Sequence, residues 1–235
     1  MSITKDKTVA QVVTENMGAD HVFSKYNIDF CCGGHTTLEA ACKENGIAFS
    51  TIKKEIESIT AIINNDTNFS EMDIKSLIDH SQEVYHKYLK ETIPVVSQLA
   101  VKVAEVHWAQ HKEVVEINNT LNKGISEIIE QLSIEDNIIF PLINKTVEQG
   151  HLNIELNEQE LATFKKAIQN IETGYKNAGD IFKSIAKLTS NYSPPIGACN
   201  TFKLLYEKLQ EFEQELHKFI HFEKNILFSR VLDIK

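Results

Sequence analysis

The sequence predicts an all-α protein, with a small N-terminal helical domain followed by an antiparallel four-helix bundle. Three observations carry that prediction. Only nine Gly and four Pro occur in 235 residues, so long stretches run without a helix breaker. Apolar residues recur at steps of three and four along four long segments, the spacing of one helix face. Short joints separate those segments, which favours antiparallel neighbours. A hydrophobic content of 42% supplies the material for a core.

Residues 1–63 read as the first domain. Val9 to Met17 forms a helix ended by Gly18, and His21 to Tyr26 a second. A turn follows at Asp29-Phe30-Cys31-Cys32-Gly33-Gly34. Thr36 with Glu39 makes a capping box for a third helix, which Asn45-Gly46 closes. A fourth helix runs from Ser50 to Ile63. Residues 64–71 open on the polar, non-periodic run Asn64-Asn65-Asp66-Thr67-Asn68 and read as a linker.

Residues 72–235 carry the bundle. Its first helix covers Met72 to Val106, with Pro94 as a kink or break. The second covers Glu113 to Gln149 and tolerates Pro141 near its end. The third runs from Asn157 to Thr189, with Leu161, Phe164, Ile168, Ile171, Tyr175, Ala178, Phe182 and Ile185 on one stripe. Ser193-Pro194-Pro195-Ile196-Gly197 breaks the chain before the fourth, Ala198 to Leu232.

One phrase is written twice. Residues 135–143 and 223–231 share Glu-x-Asn-Ile-(Ile/Leu)-Phe-x-x-(Ile/Val). Each glutamate falls on an otherwise apolar stripe. One is Leu121, Ile125, Ile128, Leu132, Glu135, Ile139 and Leu142; the other is Phe202, Leu205, Leu209, Phe212, Leu216, Phe219, Glu223 and Ile226. A buried unpaired charge is costly. A metal is the usual reason when facing helices of a bundle supply inward glutamates, so metal binding leads.

Charge and length exclude other classes. A net charge of −9, with no Lys/Arg cluster, argues against a nucleic-acid surface. No segment has the length of a membrane span and the start lacks a signal-peptide core, so a cytoplasmic protein with no membrane partner is expected. Four uneven cysteines (Cys31, Cys32, Cys42, Cys199) do not make a disulfide framework.

Several short segments in order resemble a known family. They are Tyr26-Asn27-Ile28-Asp29-Phe30-Cys31-Cys32-Gly33-Gly34, Lys102-Val103-Ala104-Glu105-Val106-His107, Ile139-Phe140-Pro141 and Ala178-Gly179. The run from Leu188 to Pro195, Ala198-Cys199 and Glu223-Lys224-Asn225-Ile226-Leu227-Phe228 continue the likeness. The chain resembles the repair-of-iron-centres family of the ScdA and YtfE type, which joins a Cys-Cys-Gly-Gly domain to a hemerythrin-like bundle. That resemblance implies a di-iron site with two bridging glutamates, here Glu135 and Glu223, and four histidines. Only His86 matches one of the four. The other three positions hold Gln131, Tyr175 and Phe219. Phenylalanine cannot ligate a metal, and a glutamine amide replaces imidazole poorly.

The expected iron ligands are therefore His86, Glu135 and Glu223, as a mononuclear or weak iron site rather than a full di-iron site. Tyr175 and Gln131 would support the carboxylates as hydrogen-bonding groups, with phenolate ligation by Tyr175 a second reading. His107 would approach a cavity and forms an i, i+4 pair with His111. Cys31 and Cys32 read as an exposed thiol motif, and Cys42 and Cys199 as buried and inert. The resemblance implies iron–sulfur-cluster repair under nitrosative or oxidative stress, with damaged iron–sulfur proteins as clients and a homodimer as one open assembly. The alternative is a metal-free paralogue that serves as a thiol-based sensor or partner-binding module. An oxygen-sensing hemerythrin-like module is a third reading, set back by the absent histidines.

Overall fold

The computed structural model describes residues 3–16, 18–31, 33–62, 69, 71–148 and 157–233. Among them every regular element is helical, and one isolated β-bridge joins Thr8 to Thr37. The chain divides into two compact units, residues 1–77 with 217–233 and Ile78–Leu216. The predicted linker lies almost wholly outside the described residues.

The first unit holds α1 (Val9–Glu15), α2 (Ala19–Lys25), α3 (Leu38–Glu44) and α4 (Phe49–Ile62). Thr8 caps α1: its hydroxyl accepts the Gln11 N–H while the Gln11 side chain accepts the Thr8 N–H. The predicted Thr36–Glu39 box is replaced by Thr37, whose hydroxyl accepts the Ala40 N–H at 3.3 Å. Thr36 is committed elsewhere, because its carbonyl accepts the Val9 N–H and its N–H reaches the Gly33 carbonyl. Gly34 permits this close approach. A Cβ there would lie 2.6 Å from the Phe30 carbonyl oxygen and 2.8 Å from the Ala10 Cβ. Val9, Val12, Val13, Phe23, Leu38, Ile52 and Ile56 form the core. The stretch 217–233 belongs to this unit; Phe222 meets Phe69 edge-on at 5.1 Å, and the Arg230 guanidinium donates to the Phe69 carbonyl at 3.0 Å.

The long helices follow. α5 (Ile74–His80) continues through a π-helical turn, Ser81–His86, into α6 (Lys87–His107). α7 (Glu113–Ile134) likewise passes through Glu135–Ile139 into α8 (Phe140–Glu148). α9 (Glu158–Leu188) starts at Asn157, which forms a capping box with Glu160. α10 (Asn200–His221) runs through Phe222–Leu227 into α11 (Phe228–Asp233). Of the kink or break expected at Pro94, the break does not occur, and α6 runs through it. It is exposed, as is Lys90 one turn earlier, so the carbonyl that loses its partner faces water. In the second unit the long helices pack as a bundle: Phe182 of α9 stacks on Phe212 of α10 at 5.4 Å, and Gly124 of α7 faces Ile181 of α9. The predicted stripes are buried with two exceptions: Leu161 is exposed, and Ile143 takes the inward place expected of Leu142.

Candidate metal centre

Three π-helical turns occur among the described residues, each inside a longer helix. Such widened turns re-aim side chains and are frequent at functional sites. His86 closes the first, Glu135 opens the second and Glu223 is the second residue of the third. The phrase repeated in the sequence falls on the last two. Periodicity alone gave no sign of the widened turns, and their one sequence signal was the repetition itself.

The best-defined geometry surrounds Glu135. Its carboxylate is fully buried, with Oε2 2.8 Å from Nε2 of His86 and Oε1 accepting the Tyr175 hydroxyl at 2.6 Å. The other nitrogen of His86, Nδ1, lies 3.2 Å from Oδ1 of Asp136. Asp136 in turn accepts from Lys90 at 2.9 Å and Gln82 at 3.0 Å. A ring nitrogen engaged by a carboxylate orients the opposite one, the arrangement that supports metal-binding histidines. Burial pushes the Glu135 carboxyl up to about 8, against the Tyr175 hydrogen bond and with help from the Asp136 charge. Burial also raises Asp136, but the hydrogen bonds from Lys90 and Gln82 and the His86 charge hold it below the usual range. The sequence reading missed Asp136 and Lys90, because nothing in the helix periodicity marks a polar pair as a support for His86.

Glu223 is also fully buried. It belongs to the first unit, whereas His86 and Glu135 belong to the second. Buried histidine and glutamate side chains are donors that can hold a metal ion. Of the positions where the resemblance implies histidine, Tyr175 donates to Glu135, and Phe219 is 1% exposed. Gln131 is buried against Gly174, where any Cβ would collide with its amide.

The remaining sequence candidates lie elsewhere. Nε2 of His107 contacts Sγ of Cys199 at 3.3 Å. Cys199 is exposed, which corrects the expectation that it is buried; it stands just before α10, where the Gly197 turn brings the chain to the surface. Cys31 is buried rather than exposed, and its thiol donates to Asp29 at 3.3 Å. It still borders a cavity of about 490 Å³ lined by Gln11, Thr14, His35 and Asn225 among others. Cys32 lies outside the described residues. His221 is buried between the Phe30 carbonyl and Thr14, and burial lowers its pKa to about 4.

Known proteins give this arrangement a frame. Residues 5–60 match the ScdA_N family, described as a domain of unknown function. A probable iron–sulfur cluster repair protein of Haemophilus influenzae is 30% identical over 237 residues, covering 100% of both chains. The chain belongs to the ScdA/YtfE family of iron–sulfur cluster repair proteins. The iron–sulfur cluster repair protein ScdA of Staphylococcus haemolyticus is 29% identical over 97% of this chain and 99% of its own. YtfE of Pectobacterium atrosepticum is 26% identical over 97% of each. The ScdA/YtfE likeness therefore spans both units. No helix among the described residues is long and apolar enough to cross a membrane.

Proposed function

We propose that this member of the ScdA/YtfE family serves iron–sulfur cluster repair under nitrosative or oxidative stress in the cytoplasm, with one weakly held iron in place of two. Damaged iron–sulfur proteins are the clients, and the iron is cargo supplied to them. The observation that carries this reading is the Tyr175–Glu135–His86 network. Tyr175 stands where the resemblance implies a histidine, and its hydroxyl hydrogen-bonds the carboxylate. As the ligands that the resemblance implies, His86, Glu135 and Glu223 would make a donor set suited to one divalent iron, with open positions. They do not suit two irons, because one imidazole replaces four and Phe219 offers no donor. Bound there, the ion would act as a Lewis acid with exchangeable positions. The chain's own part is to keep the site dry, to orient His86 through Asp136, and to hold a proton on Glu135 until a cation displaces it.

Fewer protein ligands mean weaker retention, which suits an ion that must be given up. Iron content of protein purified without oxygen tests the proposal. The expected result is one iron per chain or less, falling further in His86→Ala and Glu223→Gln. Two irons per chain, or a content unchanged in both variants, would overturn it. A folded protein with no iron under any loading condition would favour the metal-free reading instead.

A further inference from the structure

At the far end of α6 a second group of donors meets outside the His/Glu/Glu centre. His107 is the last residue of α6, and His111 follows one helical turn later, its N–H bonded to the His107 carbonyl at 2.9 Å. Cys199 stands before α10, and its carbonyl accepts the Lys203 N–H at 3.0 Å. Nε2 of His107 lies 3.3 Å from Sγ of Cys199. Both imidazoles rest on the buried Phe202 ring, with centroids at 5.2 and 5.3 Å. Nδ1 of His111 is engaged by Glu113 at 3.1 Å, which leaves Nε2 as its outward ligand atom.

We propose that His107, His111 and Cys199 form a binding site for a divalent cation of the zinc type, with Glu113 orienting His111. A thiolate with two imidazoles is a donor set that such ions favour over calcium or magnesium. The distances fit. In a tetrahedral site with metal–sulfur near 2.3 Å and metal–nitrogen near 2.0 Å, sulfur and nitrogen lie about 3.5 Å apart. Two imidazoles on one such ion have centroids about 5 Å apart. The His107 and His111 centroids are 6.4 Å apart, so a side-chain rotation of His111 over the Phe202 surface closes the set. Cys199 is exposed and His111 partly so, which gives the ion entry and leaves a fourth position to water. Uptake converts the Cys199 thiol to thiolate and releases one proton to solvent. Glu113 supplies the carboxylate support that orients the His111 ring.

Cobalt(II) is the probe, added to the full-length metal-free protein. A thiolate-to-cobalt absorption band in the near ultraviolet reports this site and not the His/Glu/Glu centre, which has no sulfur. One equivalent should produce the band, and zinc should bleach it. Cys199→Ser should abolish it, while His107→Ala and His111→Ala should each weaken cobalt affinity at least tenfold. Serine caps a helix well, so that variant keeps its fold, as circular dichroism would verify. Glu135→Gln should leave the band intact. No band in the wild type, a band that survives Cys199→Ser, or unchanged affinity in either histidine variant would overturn the site.

Discussion

Replacing Glu135 by Gln isolates the electrostatic cost of the buried centre. In the metal-free protein the folded state holds the Glu135 proton up to about pH 8, whereas the ordinary value is 4.5. Below pH 4.5 both states are protonated and the folded protein has its full stability. Between 4.5 and 8 the unfolded chain releases the proton while the folded chain keeps it, so stability falls as pH rises, and it levels off above 8. At 1.36 kcal/mol for each tenfold in proton affinity, that window corresponds to about 5 kcal/mol. A loss of up to about 5 kcal/mol is expected. Glutamine keeps the shape and an oxygen to accept the Tyr175 hydroxyl, but it cannot ionise. Glu213, raised by burial to about 7 despite its Tyr192 hydrogen bond, gives a loss of the same sign. The informative quantity is therefore the difference between proteins. Urea unfolding from pH 4 to 9, followed by circular dichroism without metal, should show a steeper decline in the wild type than in Glu135→Gln. Added Fe(II) should stabilise the wild type more than the variant. Parallel pH profiles would refute the assignment of Glu135 as the strained group.

Two further outcomes follow from the same packing. Gln131→His, Tyr175→His and Phe219→His together should raise iron content toward two per chain on unchanged helices, measured by metal analysis and near-ultraviolet absorption; a folded variant with no gain would show that the surroundings no longer support the histidine set. Gly174→Ala should cost about 1–3 kcal/mol, since its methyl meets the Gln131 amide, and Gln131→Ala should restore much of that loss in thermal melts.

Much of the architecture was legible because burial follows local periodicity. The three–four spacing on the last long helix named Phe202, Leu205, Leu209, Phe212, Leu216, Phe219, Glu223 and Ile226, and all are buried. The same spacing put Tyr175 and Glu135 on inward faces. Asn157 and Gly46 marked helix ends through capping chemistry, which acts within a few residues. Thr36 failed as a cap because pairing with Val9 had claimed its backbone, a contact 27 residues away in sequence. Pro94 failed as a breaker because its freed carbonyl finds water, which depends on which face of α6 the bundle covers.

By itself the sequence determined that the chain is helical, where its helices start and stop to within a few residues, and which faces carry the two glutamates. These properties come from backbone propensity and side-chain spacing, and neighbours along the chain settle both. Only the tertiary structure decided that Tyr175 meets Glu135 across 40 residues and that Cys199 meets His107 across 92. It also decided that Asp136 rather than another acid braces His86, and that widened turns carry His86, Glu135 and Glu223. Such pairings depend on which helices pack together and how they are rotated, and side-chain spacing constrains a face but not its partner.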